Sequence, residues 1–291
     1  MNRLPQNPQA DGTATKKRST ILASNPVMRR LEKVDEFSET NSATYGGITF
    51  KTVYFLLMTI VGIVLQLFLA KTFATGNAIP LQYKGFTYEV TTTEVIVLGV
   101  VAVLAIVFQL LAFFVKGSTP VTGALYCVTQ GYFISFLIFR VLEGKEYIGA
   151  LALALTMLII LVMSILYTTG VIKVTKKFRM VMMTLFVSMV SISLLTFIGY
   201  LVGFAVPAVG TFVSTIMGNF WVSIAFSVIF IIIASLFLVS DFAVIQNTVE
   251  NKRPKKYEWQ AAFGLSFTVL WLYLKVLQLL MTIIGRGGSN K

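Results

Sequence analysis

The sequence predicts an all-α polytopic membrane protein, a bundle of seven transmembrane helices, and three observations carry that prediction. Apolar residues fill 56% of its 291 positions and charged ones only 12%, against roughly 45–50% and about 25% in soluble domains. From Met180 to Ser240 runs a 61-residue stretch without a charged side chain, far more than water will solvate. The basic residues gather in the first tail and in short gaps between apolar segments of membrane-crossing length.

Residues 1–47 are polar, with Pro5, Pro8, Gly12 and a Lys16-Lys17-Arg18 cluster. They read as a disordered basic cytoplasmic tail without the early apolar core of a signal peptide. Within it Met28, Leu31 and Val34 fall at helical spacing, so a short surface helix there would turn Arg29, Arg30 and Lys33 toward anionic headgroups. The membrane domain spans 48–285, with apolar segments near 52–73, 93–115, 120–140, 147–168, 180–205, 212–247 and 259–284. Each clears or approaches the ~20 residues that cross ~30 Å of hydrocarbon. Pro207 and Gly210 divide the long uncharged run into two spans. The sixth segment is overlong, and so tilts, protrudes or starts later than 212. Between the first two spans, residues 74–92 alternate Phe86, Tyr88 and Val90 with Thr87 and Glu89, which fits a small hairpin or an interfacial loop. Residues 286–291 form a short outer tail.

Counted on alternate sides with the N-terminus inside, 17 Lys and Arg lie inside and 6 outside, with Lys275 within a span. The asymmetry orients the chain with its N-terminus in the cytoplasm and its C-terminus outside, in a cell membrane. The net charge of +12 has the same origin. It is topogenic, and nucleic acid is not an expected partner.

The chain has no histidine and a single cysteine, Cys127. That excludes histidine-dependent serine or metallo-protease chemistry, the usual zinc sites and an internal disulfide. An intramembrane aspartyl protease needs two aspartates within the membrane, and of the chain's aspartates only Asp241 lies in an apolar span. The expectation is a protein that is no enzyme and needs no cofactor.

Gly123, Cys127, Gly131 and Ser135 recur every four residues along the third span, which puts four small residues on one helix face. Gly199 and Gly203 repeat the spacing in the fifth. Such stripes are packing seams far more often than pore linings. Gln66, Gln109 and Gln130 are amides within apolar runs, where bonds across helices are expected.

Ionisable residues inside a bilayer cost about 2.5–3.5 kcal/mol on insertion scales and need a reason. Glu94 and Arg140 lie near span ends, where interfacial placement lowers that cost. Glu258 begins the seventh span and complements a helix dipole. Asp241 and Lys275 are embedded among apolar neighbours on both sides. They stand out as a gate or a charge pair. In a helical hairpin turning over 250–257 the residue level with Asp241 lies near 266, which leaves Lys275 ~13 Å too deep. A direct pair therefore requires the last helix to begin a turn or two outside the membrane.

Four stretches carry a family resemblance: SNPVMRRLEK at 24–33, LYCVTQGYFISF at 125–136, LYTTGVIKVTKKFRMV at 166–181 and SDFAVIQNTVENKRPKKYEWQAAFGLSFTVLWLYLKVLQLL at 240–280. The chain resembles the Bax inhibitor-1 family, the transmembrane Bax-inhibitor-motif proteins, and in particular their bacterial branch. The resemblance implies seven helices with the last one central, and no cofactor. Some members are described as pH-sensitive calcium leaks, others as suppressors of cell death or modulators of a membrane-bound AAA protease. The leak is attributed to two carboxylates sharing a proton, one near the end of the sixth helix and one in the seventh. Asp241 matches the first, whereas Lys275 follows Leu272-Tyr273-Leu274 where the family carries an acid, and Gln130-Gly131 stands where relatives often have Glu-Gly.

Two close carboxylates cannot both ionise cheaply, and when they do they attract a divalent cation. An aspartate beside an ammonium reverses this, each stabilising the other's charge and repelling calcium. Conduction here is therefore expected to be weaker for calcium or less responsive to pH than in the family. Two function classes compete: a pH-modulated calcium or cation leak around Asp241 and Lys275, answering to calcium or protons, and a non-conducting stress regulator or scaffold in the bilayer, binding membrane partners such as an AAA protease.

Overall fold

A computed structural model describes residues 41–73, 78–115 and 117–289. The tail over 1–40, with its surface helix, and the last two residues lie outside the described residues.

Every predicted apolar segment is helical. Helix α1 (Tyr45–Phe73) is followed by strands β1 (Ala78–Tyr83) and β2 (Phe86–Thr91), then by α2 (Thr92–Phe114), α3 (Thr119–Phe136) and α4 (Tyr147–Thr168). Helices α5 (Lys176–Ala205), α6 (Pro207–Gly218), α7 (Phe220–Glu250) and α8 (Glu258–Ser289) complete the chain. Among the described residues six helices are long and apolar enough to cross a membrane: α1, α2, α3 with the π turn that extends it, α4, α7 and α8. The 30-residue α5 is a further long helix. The protein is an all-α multi-span membrane protein.

The boundaries follow local chemistry. Helix α1 starts at Tyr45, inside the segment expected to be tail, because Ala43 is already buried and its amide bonds the Arg253 carbonyl. Thr91 caps α2, its hydroxyl accepting from the Glu94 amide while the Glu94 carboxylate accepts from the Thr91 amide at 2.8 Å. The overlong sixth segment does start later than 212. Asn219 breaks it and caps α7, accepting from the Trp221 and Val222 amides. Pro207 opens the short α6 at the position where a missing N–H costs nothing.

Within the 74–92 segment, residues 78–91 form a two-stranded antiparallel hairpin in which Tyr83 pairs with Phe86 across Lys84-Gly85; residues 74–77 lie outside the described residues. Both turn residues have positive φ, 55° and 85°, the geometry of a tight type I′ turn.

The small-residue stripe of α3 faces α1. A Cβ on Gly131 would sit 2.0 Å from the Thr59 carbonyl oxygen, and one on Gly62 would sit 2.0 Å from that of Val128. The two backbones thus touch where only glycine permits it. Ser135 ends the stripe by donating to Gln66 Oε1 at 2.8 Å, a bond between amide and hydroxyl across the same seam. Cys127 is wholly buried within it. Gly203 of α5 meets Gly210 of α6 in the same way, a Cβ there falling 2.6 Å from the Gly210 Cα.

Helix α8 packs against α7, α1, α4 and α3. Its Ala261, Phe263, Ser266, Leu272, Leu277 and Met281 are completely buried, while Phe68, Met180 and Trp221 point outward at 69–72% exposure. Apolar side chains outside and small or polar ones at the seams is the pattern expected when lipid is the solvent.

Candidate functional site

Asp241 lies on α7 nine residues before its last residue, Glu250, and is completely buried. Its Oδ2 accepts from the Thr268 hydroxyl of α8 at 2.5 Å. Oδ1 has no hydrogen-bond partner among the described residues, and neither does the hydroxyl of the preceding Ser240. The interior of the α7–α8 interface therefore holds an acid with one oxygen satisfied and one not. A carboxyl left this way costs free energy that an all-apolar pair would not.

The level of Thr268 agrees with the hairpin arithmetic to within two residues. That agreement is also why Asp241 and Lys275 do not form the ion pair considered from the sequence. The loop of residues 251–257 is tight and the last helix begins at Glu258, and Lys275 lies seven residues beyond Asp241's partner, or ~10 Å along the axis. Its ammonium donates to Gln278 Oε1 at 3.3 Å and sits 4.9 Å from the centroid of the Phe230 ring on α7. Each group found a neutral partner at its own depth.

Glu94 and Arg140, considered singly in the sequence, meet each other. Arg140 donates through Nε to Oε1 and through an Nη to Oε2 of Glu94, both at 3.0 Å, and the same Nη reaches the Glu89 carbonyl at 3.2 Å. The guanidinium is delivered by the π turn Leu137–Val141 that extends α3. One extra residue per turn re-aims Arg140 across to the start of α2. The fork is bidentate, the geometry arginine favours with a carboxylate. Gln130, on α3, is half-buried.

Three contacts escaped the sequence reading. Thr268 is one apolar-flanked hydroxyl among many. Glu258 does more than meet a helix dipole: it accepts from the Thr44 amide at 2.9 Å and from Lys51 Nζ, tying the start of α1 to the start of α8. Lys84, at the hairpin tip, reaches the Ser223 hydroxyl on α7. A capping residue and a turn residue carry no marker of a long-range partner.

Beside the same end of α7 lies an open cavity of about 700 Å³, lined in part by Tyr45, Tyr167, Lys173, Phe242 and Gln246. Phe242 and Gln246 place it one helix face away from Asp241. No group of histidine, cysteine or acidic side chains among the described residues is arranged to hold a metal.

Comparison with protein families gives one match, a family model described as Bax inhibitor 1 like, over residues 25–285. No curated protein and no solved structure matches the chain.

Proposed function

The chain belongs to the Bax inhibitor 1 like family, and from that premise we propose a cell-membrane protein of seven spans, α5 being the seventh, that leaks cations through the bundle under control of Asp241. Its N-terminus lies in the cytoplasm and its C-terminus outside, as the asymmetry of Lys and Arg requires. The observation that carries the reading is the buried Asp241 carboxyl, bonded through one oxygen to Thr268 and with the other lacking a partner.

Protonated, this carboxyl is compatible with a dry α7–α8 interface. Ionised, it demands water or a cation, and either one separates the helices. The Asp241–Thr268 contact is in this reading the closed gate. Calcium and protons are its ligands, and no cofactor takes part.

Lys275 shapes the leak from a distance. At ~10 Å and an effective dielectric near 20, one ammonium repels a monovalent cation by about 1.7 kcal/mol, and calcium by twice that. Replacing it lowers this barrier, and every 1.4 kcal/mol is tenfold in rate. Calcium flux into proteoliposomes should therefore rise at least about tenfold in Lys275→Met, and further in Lys275→Glu. No flux from any of these proteins would leave the non-conducting regulator as the function; flux unchanged by either substitution would remove Lys275 from the path.

A further inference from the structure

The open cavity of about 700 Å³ beside the loop end of α7 takes no part in the Asp241–Thr268 contact. Three of its lining residues fix its level. Tyr45 is the first residue of α1, Tyr167 the last but one of α4, and Gln246 stands one turn before the end of α7. Spanning helices end where hydrocarbon meets water, and tyrosine rings favour that boundary. The cavity therefore opens at the depth of lipid headgroups, and its size falls within the roughly 300–1,000 Å³ of small-molecule sites.

Its lining is partly apolar. Ile172 and Phe242 both contribute, and the Tyr167 ring centroid lies 6.0 Å from that of Phe242. The polar groups on the α7 side form a chain. The Tyr167 hydroxyl donates to Gln246 Oε1, and Gln246 Nε2 donates to Glu250 Oε1 at 2.6 Å. The amide is thereby held with its carbonyl toward the tyrosine and its N–H groups toward the acid, which keeps the Glu250 carboxylate beside the cavity. From the loop after α4, Lys173 lines the same space. Lys173 and Glu250 are both exposed, and neither makes an ion pair among the described residues.

We propose that this cavity binds a zwitterionic phospholipid with a primary ammonium, the headgroup of phosphatidylethanolamine, from the leaflet around the loop end of the bundle. Charge complementarity selects it. An anionic ligand would answer Lys173 and be repelled by Glu250, and a cationic one would do the reverse. A headgroup carrying both charges answers both. Its phosphate accepts from the Lys173 ammonium, while its own ammonium donates to Glu250 and to the Tyr167 oxygen, which still has acceptor capacity. A fatty chain covers Ile172 and Phe242, removing their apolar surface from water at this depth.

The test is thermal melting of the delipidated full-length protein in neutral detergent, titrated with short-chain phosphatidylethanolamine, with phosphatidylglycerol, and with soluble glycerophosphoethanolamine. Bound ligand raises Tm in proportion to its affinity for the folded state. A saturable rise is expected with phosphatidylethanolamine, at a lower mole fraction than with phosphatidylglycerol. Glycerophosphoethanolamine, which lacks the chains, should bind about tenfold more weakly or not at all. Lys173→Gln should weaken both lipids, whereas Glu250→Gln should weaken phosphatidylethanolamine and strengthen phosphatidylglycerol, reversing their order. That reversal separates recognition of a headgroup from a merely structural effect, which would move both lipids alike. No saturable rise in the wild type, phosphatidylglycerol binding as tightly as phosphatidylethanolamine, or a soluble headgroup as effective as the lipid would each overturn the proposal. So would an order of preference unchanged in Glu250→Gln. If one variant fails to fold, the wild-type comparison and the other variant still decide.

Discussion

Removing the Arg140 guanidinium leaves the Glu94 carboxylate in a place water barely reaches, since Glu94 is only 5% exposed. Breaking a buried pair from one side costs more than never having built it. Arg140→Ala should therefore destabilise the protein by about 3 kcal/mol, read as loss of folded protein in a denaturant titration. Glu94→Gln in the same chain should recover part of that loss, and a double variant as unstable as the single one would contradict the pairing. Both residues were visible in the sequence as charges near span ends, but their union was not. It depends on a π turn that rotates Arg140 out of α-helical register, and four apolar residues interrupted by one arginine give no sign of that turn. Asp241 was legible for the opposite reason. A short acidic side chain deep in an apolar run cannot escape its position, so sequence alone placed it inside. Its hydroxyl partner was found only when two helices were brought to one level.

At the scale of elements, the α1–α3 contact rests on glycines that admit no Cβ. Gly131→Ala puts a methyl group into the Thr59 carbonyl, and overpacking of this kind costs about 1–3 kcal/mol. The same change at Gly99, which meets nothing within 4 Å, should be neutral or slightly stabilising. Thermal unfolding of the two variants side by side checks the contrast; equal melting temperatures would mean that α1 and α3 do not approach as described. The four-residue spacing of small side chains made this seam readable, because helical geometry turns spacing directly into a face. The hairpin was less readable. Alternation suggested strands, but Lys84-Gly85 is an unusual sequence for its turn, and the docking of the tip on Gly285 joins positions 201 residues apart in a chain with nothing local to announce it.

The whole molecule places the hairpin, the Arg140 turn and the end of α8 at one end, with the α7–α8 loop and the start of α1 at the other. In the orientation proposed from charge asymmetry the second end faces the cytoplasm. Single cysteines at Glu143 and at Lys252 in a Cys127→Ala background should then differ toward a membrane-impermeant thiol reagent added to intact cells, the first labelled and the second protected. The reverse pattern would invert the topology. That the chain is an all-α multi-span membrane protein was legible because hydrocarbon thickness fixes how long an apolar run must be; among the described residues six helices meet that length and apolarity, against the seven spans expected. The separation of Asp241 from Lys275 was not legible, because an ion pair is the cheapest solution on paper, whereas the two side chains bond different partners at different levels of the α7–α8 hairpin. The account turns on the Asp241 carboxyl opening the α7–α8 interface as it loses its proton. Its most direct test is cation flux in proteoliposomes across a pH series for the wild type and Asp241→Asn, which keeps the size of the side chain and removes its titration. Wild-type flux should climb with pH while the Asn variant stays flat and low. A variant that follows the wild-type profile would contradict the account.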